Sequence, residues 1–158
     1  MRVGMGYDSH RFCEGRRLVL GGVEVAHTHG LFGHSDADAL THAVIDALLG
    51  AAKLGDIGRL FPDNVHEFKD ISSLILLQRA SALLTQKGYH VINIDATIIA
   101  QAPKLATYIP QMELLLAECL QIDPDCVSVK AKTAEGMGFV GRHEGIEVHA
   151  ICLIRKGE

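Results

Sequence analysis

The chain has 158 residues, 48% of them hydrophobic, with a formal net charge of −4 at pH 7, which suits one domain, residues 1–158, whose core needs no covalent staple. An acidic balance with three Tyr, five Phe and no Trp argues against a nucleic-acid surface, and no apolar run approaches the roughly 20 residues that span a bilayer. Cys13, Cys119, Cys126 and Cys152 are too widely spaced for a metal clip and read as free thiols, and with no signal or transit pattern at the start a cytoplasmic protein is expected.

Met1 to His10 reads as an extended segment in which Gly4 and Gly6 precede Asp8 and His10; residues two apart share a strand face, so the acid and the imidazole point the same way. Arg17 to Leu20 and Val23 to Ala26, joined by Gly21-Gly22, predict a short hairpin. Ser35 to Lys53 predicts a helix with Leu40, Val44, Ala47, Leu48 and Ala51 on one side and Asp38, His42 and Asp46 stacked opposite. Ser35 is its expected N-cap, with Asp38 as capping-box partner. A loop rich in glycine, proline and acids follows from Gly55 to about Lys69. Asp70 is expected to cap a second helix that Gly88 ends.

Tyr89 to Ala100 alternates as a strand, with Ile92, Ile94, Ala96 and Ile98 on one face and Asn93, Asp95 and Thr97 on the other. Pro103 stops it, a third helix begins near Pro110, and Asp123-Pro124-Asp125 closes that helix. Val127, Val129 and Ala131 mark another strand, Ile146, Val148, Ala150, Cys152 and Ile154 the last, and the glycine-rich Glu135 to Gly145 an irregular link. The element order predicts an α+β fold in two layers, a mixed β-sheet with helices packed on one face. The other face then needs a partner, which predicts a closed oligomer.

Asp8, His10 and His42 form the leading constellation. One carboxylate and two imidazoles suit Zn²⁺, and three protein ligands leave a coordination position open, as in catalytic sites. The plainer reading is that nine histidines make one Asp-x-His match by chance, with Asp38 and Asp46 merely solvated. His34 and Ser35 precede a helix start, where backbone donors attract a phosphate, although Ser35 could be an ordinary cap. Lys104, Lys132, Thr133 and Glu135 stand at strand ends, where lysines could meet phosphates and Glu135 could ligate Mg²⁺; singly, each could be a plain surface residue.

Five blocks carry a family resemblance: Gly-Met-Gly-Tyr-Asp-Ser-His, Gly-His-Ser-Asp-Ala-Asp-Ala-Leu-Thr-His-Ala, Gly-Asp-Ile-Gly-Arg-Leu-Phe-Pro-Asp, Thr-Ile-Ile-Ala-Gln-Ala-Pro-Lys-Leu and Glu-Gly-Met-Gly-Phe-Val-Gly-Arg-His-Glu-Gly-Ile. In this order and spacing they resemble the 2-C-methyl-D-erythritol 2,4-cyclodiphosphate synthase family of the non-mevalonate isoprenoid pathway, nearly end to end. The resemblance implies cyclisation of 4-diphosphocytidyl-2-C-methyl-D-erythritol 2-phosphate with release of CMP. It implies Zn²⁺ on Asp8, His10 and His42, Mg²⁺ or Mn²⁺ on Glu135, and transition-state stabilisation by His34 and Thr133. Substrate contacts are implied for Asp8, Ser9, His10, His34, Ser35, Asp56, Ile57, Gly58 and the loop Phe61, Pro62, Asp63, Asn64 and Val65. A cytidine pocket is implied for Ala100, Gln101, Ala102, Pro103, Lys104, Leu105 and Ala106 with Lys132, Thr133, Ala134 and Glu135.

The resemblance further implies a homotrimer whose sites are shared between adjacent subunits, and an axial cavity lined by Phe139, Arg142 and Glu144 that can hold an isoprenoid diphosphate. Two positions depart from the family pattern. Lys132 stands where several relatives have Thr, and His143 where Gly is usual. Two rivals remain at this level: a metal-dependent phosphohydrolase, and a non-catalytic trimeric binder of isoprenoid diphosphate.

Overall fold

In the computed structural model, which describes residues 1–157, the long strand β1 (Arg2–Cys13) runs antiparallel to the last strand, from Arg2 opposite Ile154 to Arg11 opposite Gly145. The intervening elements are β2 (Leu18–Leu20), β3 (Val23–Val25), β4 (Gly30–Leu31), α1 (Ala39–Ala52), α2 (Ile57–Leu60), α3 (Ser73–Gln86), β5 (Tyr89–Ile99), α4 (Ile109–Leu120), β6 (Val127–Lys132), α5 (Gly138–Gly141) and β7 (Gly145–Lys156). One sheet has the order β4-β1-β7-β5-β6, and β2 and β3 form the expected hairpin beside it. β5 and β6 are parallel and the other pairings antiparallel, so the sheet is mixed as expected.

Alternation decides the two faces. Ile146, Val148, Ala150, Cys152 and Ile154 of β7 and Ile94, Ala96 and Ile98 of β5 are buried beneath the helices. The opposite face leaves large apolar side chains in the open: Val3 is 67% exposed and Met5 66%, beside Tyr7 and Ile151. A monomer gains nothing from that surface, and this is the face the sequence pattern leaves without cover.

α1 lies across the covered face, and only Asp46 and Gly50 of its residues are not buried. Its closeness to β1 is a glycine effect. A Cβ on Gly6 would overlap the carbonyl oxygen of Ala43, and one on Gly4 that of Ala47. Gly4, Gly6, Asp8 and His10 share one strand face, so the bare positions draw the helix in and the next two on the same stripe present ligands to it.

Five local readings need correction. α1 begins at Ala39, capped by Asp38 rather than Ser35, because Ala37 adopts a left-handed φ of 58° that the helix cannot include. The N-cap of α3 is Ser72; Asp70 instead has φ 55° and donates its N–H to the His34 carbonyl at 2.8 Å. α4 ends at a left-handed Gln121, while Asp123 accepts from Asp125 N–H and caps the 3₁₀ turn Pro124–Cys126. In β5 the pairing moves from Val91 opposite Ile154 to Asn93 opposite Leu153, so Ile92 is a bulge residue and Val91 packs against the core in its place. The link expected to be irregular contains the one-turn helix α5.

Candidate active site

The functional side chains of β1 meet α1 one turn beyond the glycines. Single donor atoms of Asp8, His10 and His42 lie within 4.8 Å of one another. The Asp8 carboxylate is 3.1 Å from His42 Nδ1 and 3.5 Å from His10 Nδ1, and the two imidazole rings stand edge to face at 5.3 Å. His10 Nδ1 also lies 2.8 Å from the Ser9 carbonyl, an acceptor only, so Nδ1 is the donor there and Nε2 is the nitrogen outside that bond. Gly33 makes room there: a Cβ at that position would come within 3.3 Å of His10 Nε2. The donor set and its convergence fit a divalent cation with a position to spare.

In the stripe Asp38, His42, Asp46 the first two are buried and Asp46 is half-buried, where the helical period alone suggests a solvent-facing row. Asp38 is fully buried and accepts from Gly21 N–H at 2.8 Å, Gly22 N–H at 2.7 Å, Thr41 N–H at 2.9 Å and the Thr41 hydroxyl at 2.7 Å. It therefore fastens the β2–β3 hairpin to the start of α1. Burial pushes its carboxyl up, and the charge of Asp36 adds to this, against the pull of those donors. Asp46 accepts from Ile57 N–H at 2.7 Å and so fixes the beginning of the loop after α1 to the helix. Burial opposes a charged His42, but the hydrogen bond and charge of Asp8, with Asp38 and Asp36 behind, win and raise its pKa in the metal-free chain.

Two residues that the sequence reading passed over complete this centre. Ser73, fully buried, lies 2.8 Å from His42 Nε2 and donates its hydroxyl to Asp36, whose other oxygen accepts from Ser73 N–H at 2.9 Å. Asp36 thus supplies the side-chain acceptor at the start of α3 that Asp70 was expected to supply. The signal lay in Ser72-Ser73 before an apolar run and in the second acid of Ser35-Asp36-Ala37-Asp38, but the pairing spans 37 residues and no local rule reveals it.

A cleft of about 390 Å³ opens over the triad. Asp8, His10, His42, His34 and Ser35 line it together with Ile57, Gly58, Phe61, Asp63, Phe68 and Leu76. His34 Nε2 donates to the Val65 carbonyl at 3.2 Å, while Ser35 Oγ accepts from Ala37 N–H and stands 3.2 Å from His42 Nε2. Asp56 caps α2 by accepting from Arg59 N–H at 2.8 Å, and Pro62, Asn64 and Val65 belong to the same loop without lining the cleft.

The other predicted residues gather elsewhere. Ala100 N–H donates to the Lys132 carbonyl at 2.9 Å and Gly136 N–H to the Gln101 side chain at 3.3 Å, which joins 100–106 to 132–135 where parallel β5 and β6 end. Leu105 is buried, whereas Lys104, Lys132, Thr133 and Glu135 are exposed, and the Thr133 hydroxyl donates to the Glu135 carboxylate. None of them borders the metal cleft. Ser9 and Phe139 line a separate pocket with Glu144, and Arg142 grips Glu144 through two bonds of 2.7 and 3.3 Å, which lowers the Glu144 carboxyl. His143 has φ 59°, a conformation that favours glycine.

The model of the YgbB family matches residues 1–155. The chain belongs to the YgbB family. A relative within reach of that match, the 2-C-methyl-D-erythritol 2,4-cyclodiphosphate synthase of Syntrophomonas wolfei subsp. wolfei, is 58% identical over 156 residues, 99% of both chains. The Clostridium botulinum protein of the same name is 53% identical over 154 residues, 98% of this chain and 99% of its own. Among solved YgbB-like structures, the bifunctional IspDF from Campylobacter jejuni superposes with a TM-score of 0.95 at 42% identity, covering 99% of this chain and 42% of that one. IspF of Plasmodium falciparum, solved as a CDP complex, superposes at 0.86 with 36% identity, covering 99% and 97%.

Proposed function

We propose that this chain converts 4-diphosphocytidyl-2-C-methyl-D-erythritol 2-phosphate to 2-C-methyl-D-erythritol 2,4-cyclodiphosphate and releases CMP, acting as a phosphorus–oxygen lyase of isoprenoid biosynthesis. The observation that carries the reading is the convergence of Asp8, His10 and His42 at the mouth of a cleft walled by His34, Ser35 and Asp63, in a chain of this family. Neither a phosphohydrolase nor a non-catalytic binder has an observation in its favour.

In the reaction a 2-phosphate oxygen forms a bond to the β phosphorus, and the bond from that phosphorus to the oxygen shared with the α phosphate breaks, its electron pair leaving with CMP. The nucleophile needs no general base, since the second pKa of a phosphate monoester is about 6. Orientation is the main task, and a well-posed intramolecular attack can lower the barrier by about 7–11 kcal/mol. Zn²⁺ on Asp8, His10 and His42, with Mg²⁺ or Mn²⁺ on Glu135, supplies Lewis-acid neutralisation of the gathered phosphate charge.

The chain's own residues do the rest. His34 and Ser35 hold the phosphate at the cleft wall, Asp56, Ile57, Gly58 and the 61–65 loop seat the methylerythritol unit, and Ala100 to Ala106 with Lys132, Thr133 and Ala134 take the cytidylyl group. Lys104 and Lys132 act as point charges on its phosphates, and His34 and Thr133 donate to the phosphoryl oxygens as the bond order shifts. Because the two residue groups lie apart in one chain, each site combines the metal cleft of one subunit with the nucleotide side of its neighbour. A homotrimer closed on the open sheet face provides that arrangement and leaves Phe139, Arg142 and Glu144 facing an axial cavity suited to an isoprenoid diphosphate.

Phosphorus resonance spectra test the activity. With the cytidylyl substrate, Zn²⁺ and Mg²⁺, one CMP should appear per cyclic product while the substrate's 2-phosphate resonance is replaced by the monoester resonance of CMP. Release of inorganic phosphate instead would assign a hydrolase. Sedimentation should give a trimer; a monomer with full turnover overturns the shared site.

A further inference from the structure

We propose that Ser73, held by Asp36, is a positioning residue that fixes the imidazole of His42 with its proton on Nε2 and its Nδ1 lone pair toward the cation. The inference rests on the metal reading of Asp8, His10 and His42. Its basis is a chain of donors and acceptors with only one consistent direction. The Ser73 hydroxyl gives its hydrogen to Asp36, so toward His42 the same oxygen can only accept. His42 Nε2, 2.8 Å away, must then be the donor. Nδ1, 3.1 Å from the Asp8 carboxylate, is left as the nitrogen that ligates once it sheds its proton.

Ser35 Oγ at 3.2 Å offers a second, longer acceptor to the same N–H, so the ring is held from two elements. The Ser73–His42 contact lies in the interior: Ser73 is fully buried and His42 is 9% exposed. Metal-bound imidazoles depend on such outer partners for tautomer and orientation, and losing one costs about 10- to 100-fold in metal affinity.

The placement of Ser73 extends the consequence beyond one ring. It is the first residue of α3, and the loop between α1 and α3 is tied down at both ends to the ionisable stripe of α1: Ile57 N–H to Asp46 at 2.7 Å, and Ser73 to His42. Backbone bonds from Asp70 N–H to the His34 carbonyl at 2.8 Å and from Asp36 N–H to the Ile71 carbonyl at 3.1 Å hold the end of that loop beside the residues that line the cleft. The loop that faces substrate and the ring that faces the cation therefore share one anchor.

The test measures metal affinity rather than turnover. Zn²⁺ and Co²⁺ dissociation constants are obtained by competition with a chromophoric chelator for the intact protein and for Ser73→Ala, Ser73→Thr and Asp36→Asn, with circular dichroism recording the fold of each. Ser73→Ala should bind about 10- to 100-fold more weakly, Asp36→Asn should weaken in the same direction, and Ser73→Thr, which keeps the hydroxyl, should return to near the original value. Nitrogen-15 histidine spectra of the zinc-loaded protein should show His42 protonated on Nε2. Unchanged affinity in folded Ser73→Ala, or a proton on Nδ1, overturns the relay while leaving the metal site standing. Failure of the unsubstituted protein to bind either ion overturns the metal reading and the relay together.

Discussion

The cleft at Asp8, His10 and His42 and the cluster at the ends of β5 and β6 are built by opposite means. Around His42 every polar group is enclosed and answered: Asp38 has four donors, Ser73 an acceptor and a donor, and His42 partners on both ring nitrogens. At the ends of β5 and β6, by contrast, Lys104, Thr133 and Glu135 are exposed on loops, Lys132 is exposed at the last position of β6, and Glu135 has φ 51°. The first region carries its geometry within one chain. The second presents charges that the chain itself does not enclose. Rigid interior placement suits groups that must meet a cation at fixed distances, whereas exposed lysines suit a nucleotide that must enter and leave.

Substitutions can break or sharpen that contrast. The largest effect on turnover is expected from His42→Ala: loss of several kcal/mol of charge stabilisation corresponds to about a thousandfold or more in rate, with zinc no longer retained and circular dichroism unchanged. Unchanged metal content would refute the ligand role. Asp38→Ala should be the most damaging to the fold, because the N–H groups of Gly21 and Gly22 and the Thr41 hydroxyl lose their acceptor in the interior; about 3 kcal/mol or more is expected in urea unfolding. A loss below 1 kcal/mol would mean that Asp38 does not clamp the hairpin.

Glu135→Gln belongs to the open region and should leave stability within about 0.5 kcal/mol while raising the Mg²⁺ concentration needed for half-maximal rate. An unaltered Mg²⁺ titration counts against it. His42 also gives a pH contrast. Its pKa is raised in the metal-free chain, so its stabilising contribution is complete below 6.5, the ordinary value, and is lost as pH rises through the higher folded value. Zinc binding should run the other way and tighten with pH, because the ligating nitrogen must be free of its proton. Thermal unfolding with and without zinc from pH 5.5 to about 8.5 separates the two slopes, and parallel slopes would contradict the assignment. The smallest effect on turnover is expected from His143→Gly, which relieves a left-handed residue and should stabilise by about 1 kcal/mol in urea unfolding.

What the sequence reveals follows from range. The face-sharing of Asp8 and His10, the alternation of β7 and the Gly88 stop after α3 depend on neighbours two to four residues apart, and each is where the pattern puts it. The stripe Asp38, His42, Asp46 was legible as a stripe but not as an interior one, since its cover comes from the hairpin, α3 and the loop after α1. The Ile92 bulge left no mark on an unbroken apolar alternation. The Asp36–Ser73 bond escaped for the same reason as the covered stripe: both partners look like ordinary caps of separate helices. The blocks that resemble the family compensate by identifying ligands, but they name neither the outer partners nor their direction of donation.

The glycines of β1 have a consequence for how this centre can vary. Gly4 and Gly6 touch no ligand, yet they set the gap between the strand that carries Asp8 and His10 and the helix that carries His42. A single methyl group at either position would widen that gap and slacken the hold on the cation with all three donors still present. The grip of the site is thus written partly in two residues that have nothing to grip with.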